Sequence, residues 1–450
     1  MFKYYIKTFG CQMNVNDSEI IAGQMEQMNF TMTSEMNEAD IIIFNTCCVR
    51  KKVEHKIYSM AGKVSQIKEK KPGVIFGICG CLAQKEAENI QIKVPSVDLI
   101  FGPSQSSSFA DIFRLYYSNK NKIIYCDNRK PFRLNNISIK YTNNISAFVQ
   151  IMKGCNNFCS YCIVPYTRGP EESRPIREIL SEVNHLARNG YKEIFLLGQN
   201  VNSYGNDIPN HCDFLTLLSE INRINDIKRI RFTTSHPKDF NINLIKTIKN
   251  GKNICEHIHL PMQSGSDNIL SRMNRKYSMK EYNNIIKQIR KIIPNASITT
   301  DVMVGFPGET NEDFENTIRA FEKIKFDSAY TFIYSNREKT LSSFFSNQID
   351  LQTKKKRLWK LIEIQKNISI NINKQLIGEI LEILVDSKSR KGIEYQYCGK
   401  TRTNKIVIFS VNNNNFLDND KNNIIGKLAY CKIKHADAYT LYGELVDLKK

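Results

Sequence analysis

Along the first hundred residues the hydrophobic pattern switches between two periods. Residues 3–9 are strand-like, and residues 17–28 carry apolar side chains at helical spacing, opened by Asn16 or Asp17 as a cap. Ile41-Ile42-Ile43-Phe44 is a continuous apolar run of the kind buried in a parallel strand. A helical stretch over about 52–69, a strand at 74–78, a helix from about Ala83 and a strand at 97–101 follow. This alternation predicts a small open α/β sheet. Residues 118–144, rich in Asn and Lys, break the pattern and read as a linker with an edge segment.

A second series begins near Ile145. Strand-like runs at 147–152, 193–197, 229–234, 257–260, 298–304 and 329–334 are separated by helical patterns. In one of these, Ile176, Ile179, Leu180, Val183, Leu186 and Ala187 share a face. Six strand–helix units predict a partial (β/α)6 barrel, a fold that places chemistry at the C-terminal ends of its strands. From about Lys374 the runs shorten, at 379–385, 405–409, 428–433 and 439–446, with an Asn-rich loop at 412–415. They predict a small antiparallel, OB-like β-barrel. Three domains are therefore expected, over 1–119, 141–371 and 374–447, as befits a chain of 450 residues.

Composition changes the picture in two ways. Lys and Arg number 64 against 45 Asp and Glu, and the net charge of +19 favours a polyanionic partner such as nucleic acid. A composition rich in Lys, Asn and Ile accounts for part of that excess. There is no apolar run long enough to span a membrane, and the first residues, Met1 to Lys7, enter a folded-looking pattern without a signal peptide's apolar stretch. A cytoplasmic protein is expected. In that compartment thirteen cysteines point to metal or chemistry rather than disulfides.

Cys155, Cys159 and Cys162 form C-x3-C-x2-C just after the first barrel strand. Three close thiolates suit zinc or iron–sulfur. Structural zinc normally takes four ligands, and no fourth Cys or His follows at short spacing; Cys212 lies fifty residues on, beside His211. A [4Fe–4S] cluster on three cysteines leaves one iron open, and the loop resembles that of the radical S-adenosylmethionine (SAM) superfamily. The resemblance implies that SAM binds the open iron and is split to a 5′-deoxyadenosyl radical. Cys11, Cys47 and Cys81 each follow a predicted strand of the N-terminal sheet. In a parallel sheet those ends share an edge, where open α/β sheets bind ligands. Cys48 and Cys79 are read as packing residues.

TFGCQMNVNDSE, NTCCVR, GCLAQ and GCNNFCSYCIVPYTRGPEESRP, with GQNVNSYG, RFTTSHPKD, HLPMQSGSD and DVMVGFPGET, cover nearly the whole chain. They resemble the radical SAM methylthiotransferase family, in particular its tRNA-modifying branch. The resemblance implies a second [4Fe–4S] cluster on Cys11, Cys47 and Cys81 that carries the sulfur. It implies two SAM molecules, one electron donor such as a flavodoxin or ferredoxin, and a monomer. The implied substrate is tRNA carrying N6-isopentenyladenosine, methylthiolated at C2. The loop Tyr334-Ser335-Asn336-Arg337-Glu338-Lys339 departs from the family's usual text there. Gln199, Asn200, Gly305 and Glu309, at strand ends, are candidates for SAM contact. Asn202, Ser235, His236, Gln263 and Ser264 are further polar groups at strand ends, with ordinary capping as the alternative. Arg168 and Arg174 flank the cluster loop and are candidates to neutralise SAM's carboxylate or a phosphate. Residues 374–447 resemble a TRAM domain, in which the basic turn 399–405 offers phosphate contacts and Tyr395 and Tyr397 offer stacking. Two other readings compete: methylthiolation of an aspartate in a ribosomal protein, and a non-catalytic metal-cluster RNA-binding protein.

Overall fold

The structure, a computed structural model, describes residues 2–48, 51–127, 134, 137–208, 212–389, 396–411 and 424–448. His211, Tyr395 and the Asn-rich stretch 412–415 lie outside the described residues.

Six strands form the N-terminal sheet, in the order Thr31–Met32, Lys3–Thr8, Ile41–Thr46, Ile75–Gly80, Leu99–Phe101 and Ile123–Tyr125. Every pairing is parallel. The central strands are buried on both faces, which explains the unbroken Ile41–Phe44 run. The first helix spans Gln12–Gln27 and starts five residues earlier than its apolar spacing predicts. Its first turns are polar yet buried: Asn14 and Ser18 meet the strand ends at Asn45 and Thr8, while Asn16, Asp17 and Glu19 face the barrel domain. Each has a partner there, such as Asn16 Nδ2 on the Phe148 carbonyl at 3.1 Å and Thr142 Oγ1 on Glu19 at 2.8 Å. Buried polar groups with partners are tolerated, and here they hide the helix's true face from a hydrophobicity pattern.

The barrel strands are Ser146–Gln150, Glu193–Leu197, Arg229–Phe232, His257–His259, Ser297–Val304 and Ser328–Ile333. They form two three-stranded parallel sheets. A parallel bridge between Ile230 and Ile254 joins the two. Side chains alternate: Ile194 and Leu196 enter the core under the helices, whereas Phe195 and Leu197 face inward and meet Met13 of the first helix. The open side between the first and last strands is thus flanked by the N-terminal domain.

A long helix, Leu351–Lys374, packs on the last barrel strands and leads to a closed five-stranded barrel. Four of its pairings are antiparallel; Ile406–Ser410 and Thr440–Leu448 pair parallel, so the expected wholly antiparallel barrel is corrected at one seam. The small barrel docks at the N-terminal ends of the large one. Arg229 donates to the Lys400 and Glu382 carbonyls, and Arg231 to the Arg402 and Thr401 carbonyls. Glu193 neutralises Arg231 at 2.6 Å, and Arg402 pairs with Glu256 at 2.7 Å. The turn 399–405 therefore plugs the bottom of the large barrel. Among the described residues no helix is long and apolar enough to cross a membrane.

Candidate active site

The three-cysteine loop is anchored at both ends. Met152–Lys153 pairs antiparallel with Glu172–Ser173. Gly154 then turns at φ +76°, where a Cβ would fall 1.8 Å from the Pro170 carbonyl oxygen, so only glycine fits. Cys155 N–H donates to the Gly169 carbonyl at 3.1 Å, and Cys162 N–H to the Cys159 carbonyl at 2.9 Å. Ser160 is tied through its N–H to the Met273 carbonyl and through its hydroxyl to the Arg272 carbonyl. Asn157 donates to Cys155 Sγ and Arg275 to Cys159 Sγ, each at 3.4 Å. Burial pushes the Cys155 and Cys162 thiols up. Thiols that burial keeps from ionising alone suit an electron-poor centre that takes them as thiolates.

In the N-terminal sheet, Cys11 caps the first helix, Cys47 directly follows Ile41–Thr46, and Cys81 opens the helix Cys81–Lys93. The strands they follow are adjacent, so the three cysteines share one edge. Gly10 at φ +132° and Gly80 at φ +92° make the approach possible: a Cβ on Gly10 would fall 2.7 Å from the Cys47 Cβ. Asn14 and Asn45 lace the strand ends together, Asn14 Nδ2 donating to Asn45 Oδ1 and the Thr46 carbonyl at 3.0 Å. Cys48 does not point away, as its place beside Cys47 suggests. It is buried against Cys81 and donates its thiol proton toward it, which favours thiolate on Cys81 and keeps Cys48 protonated. Cys79 is fully buried in the apolar core.

Among the described residues no group of three or more His, Cys, Asp or Glu is drawn together to hold a metal ion as it stands. A single ion needs all its ligands within about 2.3 Å of one centre, whereas a cubane spreads three thiolates over three iron atoms. Two all-thiol trios on glycine-relieved loops fit the second kind of centre by donor chemistry.

Arg168 links the two. It follows the Cys162 loop, ends the helix Val164–Arg168, and donates to Asp17 at 2.7 Å with both side chains buried. Its charge lies near Cys81 and Cys11. That geometry assigns Arg168 to the N-terminal cysteines and corrects its expected place on SAM or a phosphate. Arg174 is likewise spent internally, on Glu182 at 2.7 Å and the Gln150 carbonyl.

The strand-end polar groups divide in two. Asn200 uses its whole amide, donating to Asp239 at 2.8 Å and accepting from His236 N–H at 3.2 Å. Glu309 accepts from Gly305 N–H and Arg357, both at 2.7 Å, and is buried. These two shape the rim. Gly305 turns at φ +70° beside Lys354. Gln199 Oε1, Asn202 Oδ1 and Ser235 Oγ are buried without a hydrogen-bond partner among the described residues. Orphan acceptors grouped on the rim call for a polar ligand. His236 stays neutral, held down to about 2 by burial and then by Arg275 and Lys238.

The C-terminal turn differs from expectation. Arg402 and Lys405 are paired to Glu256 and Asp327, and Tyr397 is buried against Phe409. None of the three is free for RNA. Sequence reasoning also missed Arg275 on Cys159, because nothing in its local text sets it apart from a surface arginine.

Residues 149–321 match the radical SAM superfamily, residues 3–102 match Uncharacterized protein family UPF0004, and residues 374–446 match the TRAM domain. The fold is similar to that of the radical SAM methyltransferase TsrM from Kitasatospora setae, with a TM-score of 0.55 at 11% identity over 85% of this chain and 81% of that one. A half-open barrel carrying C-x3-C-x2-C on its first loop thus defines a radical SAM enzyme, which works with SAM and a [4Fe–4S] cluster. Curated relatives named tRNA-2-methylthio-N(6)-dimethylallyladenosine synthase come from Caldicellulosiruptor saccharolyticus (43% identical, 98% of this chain, 92% of the relative) and Natranaerobius thermophilus (44%, 99% and 97%). A third, from Carboxydothermus hydrogenoformans, is 42% identical over 98% of this chain and 99% of its own length. The chain belongs to that family of tRNA methylthiotransferases.

Proposed function

We propose that this protein methylthiolates C2 of N6-isopentenyladenosine beside the anticodon of tRNA, with Cys155, Cys159 and Cys162 holding one [4Fe–4S] cluster and Cys11, Cys47 and Cys81 a second. The observation that carries this reading is the second trio on one sheet edge, joined to the barrel's cysteine loop by the buried Arg168–Asp17 pair. When bound, the cofactors supply one-electron cleavage of SAM to a 5′-deoxyadenosyl radical and the sulfur to be transferred. The chain's own residues hold and shield these groups. Arg275 and Asn157 donate to the sulfurs of Cys159 and Cys155 and so stabilise their negative charge. Arg168 does the same near Cys81 and Cys11. Gln199 takes a SAM contact and the side-chain-free turn at Gly305 lets SAM approach, with Asn200 and Glu309 fixing the loops that present them.

A small carrier such as flavodoxin or ferredoxin delivers the electron, and the protein works as a monomer in the cytoplasm. Anaerobically reconstituted enzyme is offered isopentenylated tRNA, unmodified tRNA and ribosomal protein in parallel. Methylthiolated nucleoside from the first substrate alone is expected, with iron for two clusters. Modification of the protein instead, or iron for one cluster, overturns the reading. Alanine at Cys11, Cys47 and Cys81 is expected to remove product and one cluster's iron while SAM cleavage persists.

A further inference from the structure

A cleft of about 490 Å³ opens between the last barrel strand and the C-terminal domain. Tyr330 of the barrel and Tyr439 of the C-terminal domain both line it, together with Lys400, Phe195 and Gln12. The two tyrosines are 58% and 65% exposed, an unusual state for aromatic rings that line a cavity.

Both rings are held by buttressed backbone. Tyr439 sits in a turn where Asp437 Oδ1 accepts from the N–H groups of Tyr439 and Thr440, at 2.8 and 2.7 Å. Asn373, from the long helix, donates to the Asp437 and Ala438 carbonyls at 2.9 and 3.3 Å. Tyr330 is in register with Asp301 on the neighbouring strand, and its ring meets His259 edge-on at 6.0 Å. His259 is fixed in turn by Thr299 at 3.0 Å and Asp301 at 3.4 Å. Lys400 lies with its ammonium 5.8 Å over the Phe195 ring. Gln12, next in sequence to Cys11, also lines the cleft.

Exposed rings on rigid supports, with a cation lining the same cleft, are the parts of a single-stranded nucleic-acid platform, since any base has a face to stack. A preorganised ring also loses little freedom on binding. We propose that Tyr330 and Tyr439 form a stacking site for a base of the RNA loop that flanks the target nucleotide, with Lys400 placed for its phosphate. The inference rests on the tRNA reading above and names the surface that serves it. It gives stacking to residues from two domains, neither of which the C-terminal basic turn contains.

The test measures binding of an anticodon stem-loop RNA to the reconstituted holoenzyme by fluorescence anisotropy at fixed salt. Tyr439→Ala and Tyr330→Ala are each expected to weaken binding by roughly 10-fold or more, and Tyr439→Phe by no more than about twofold. With isopentenylated loop as substrate, the alanine variants are expected to raise KM more than they lower kcat. A 2-aminopurine placed beside the target position is expected to be quenched on wild-type enzyme and not on Tyr439→Ala. Iron content and melting temperature exclude misfolding as the cause. Alanine variants that bind within about twofold of wild type, or a phenylalanine variant as weak as alanine, overturn the platform. If wild type binds the loop through these rings yet makes no methylthiolated product, the proposed activity fails and the platform stands. If wild type makes product and the alanine variants match it in binding, the platform alone fails.

Discussion

Single residues in this protein are set by what surrounds them more than by their own chemistry. Arg168 and Asp17 are both buried, so each makes the other's charge tolerable. Arg168→Met leaves the Asp17 carboxylate without its partner and is expected to cost about 3 kcal/mol or more. The loss should appear as a lower melting temperature, together with iron lost from the second cluster proposed on Cys11, Cys47 and Cys81. His236 gives a pH signature of its own. Its folded value is near 2, against an ordinary value of about 6.5, so below pH 6.5 the unfolded chain takes up a proton that the folded chain refuses. Stability from this group is complete above pH 6.5 and falls by roughly 1.4 kcal/mol per unit as pH drops below it. His236→Asn keeps an acceptor for the Lys238 N–H and removes the titration. Between pH 7.5 and 5.5, wild type is expected to lose more thermal stability than this variant; equal losses would show that His236 does not carry the slope.

At the scale of elements, much was legible. The run Ile41–Phe44, the strand Glu193–Leu197 and the helix face from Ile176 to Ala187 lie where their periodicity puts them, because burial on known faces dictates the pattern. The helix Gln12–Gln27 was misread at its start because a polar domain contact, not water, faces its polar side. Within the C-terminal turn, Arg402 and Lys405 were misread for the opposite reason. The turn's basic text looks like an RNA handle, yet Arg402 and Lys405 are consumed by Glu256 and Asp327, carboxylates far away in sequence. Long-range pairing leaves no local trace. The cysteines were readable because each follows a strand, and the parallel sheet then places the three at one edge. Arg231→Leu tests the contact. It leaves Glu193 unpaired at the junction, and limited proteolysis is expected to cut the segment before residue 380 faster than in wild type. Unchanged cleavage would show that the latch contributes little.

For the whole molecule, the plugged barrel alters how a truncation reads. Removing residues after 373 deletes the TRAM domain and also strips Arg229 and Arg231 of their carbonyl partners. Such a truncation is expected to melt earlier and retain less iron, in addition to losing RNA affinity. The intact enzyme should bind tRNA more weakly as salt rises, with a slope reduced by neutralising Lys400.

The same plug has a consequence in time. Arg229 and Arg231 meet carbonyls 170 and 171 residues further along the chain. At about 5–20 residues per second, roughly 10 to 30 s of synthesis separate the arginines from their partners. During that interval the barrel floor has an open end, with Arg229 without its carbonyl partners and Arg231 held by Glu193 alone. Nascent chains arrested before residue 400 should therefore stay protease-sensitive and chaperone-bound, and those released after the last strand should not. The floor of the large barrel is thus completed only once residues 400–402 have been made, well after its own last strand, Ser328–Ile333.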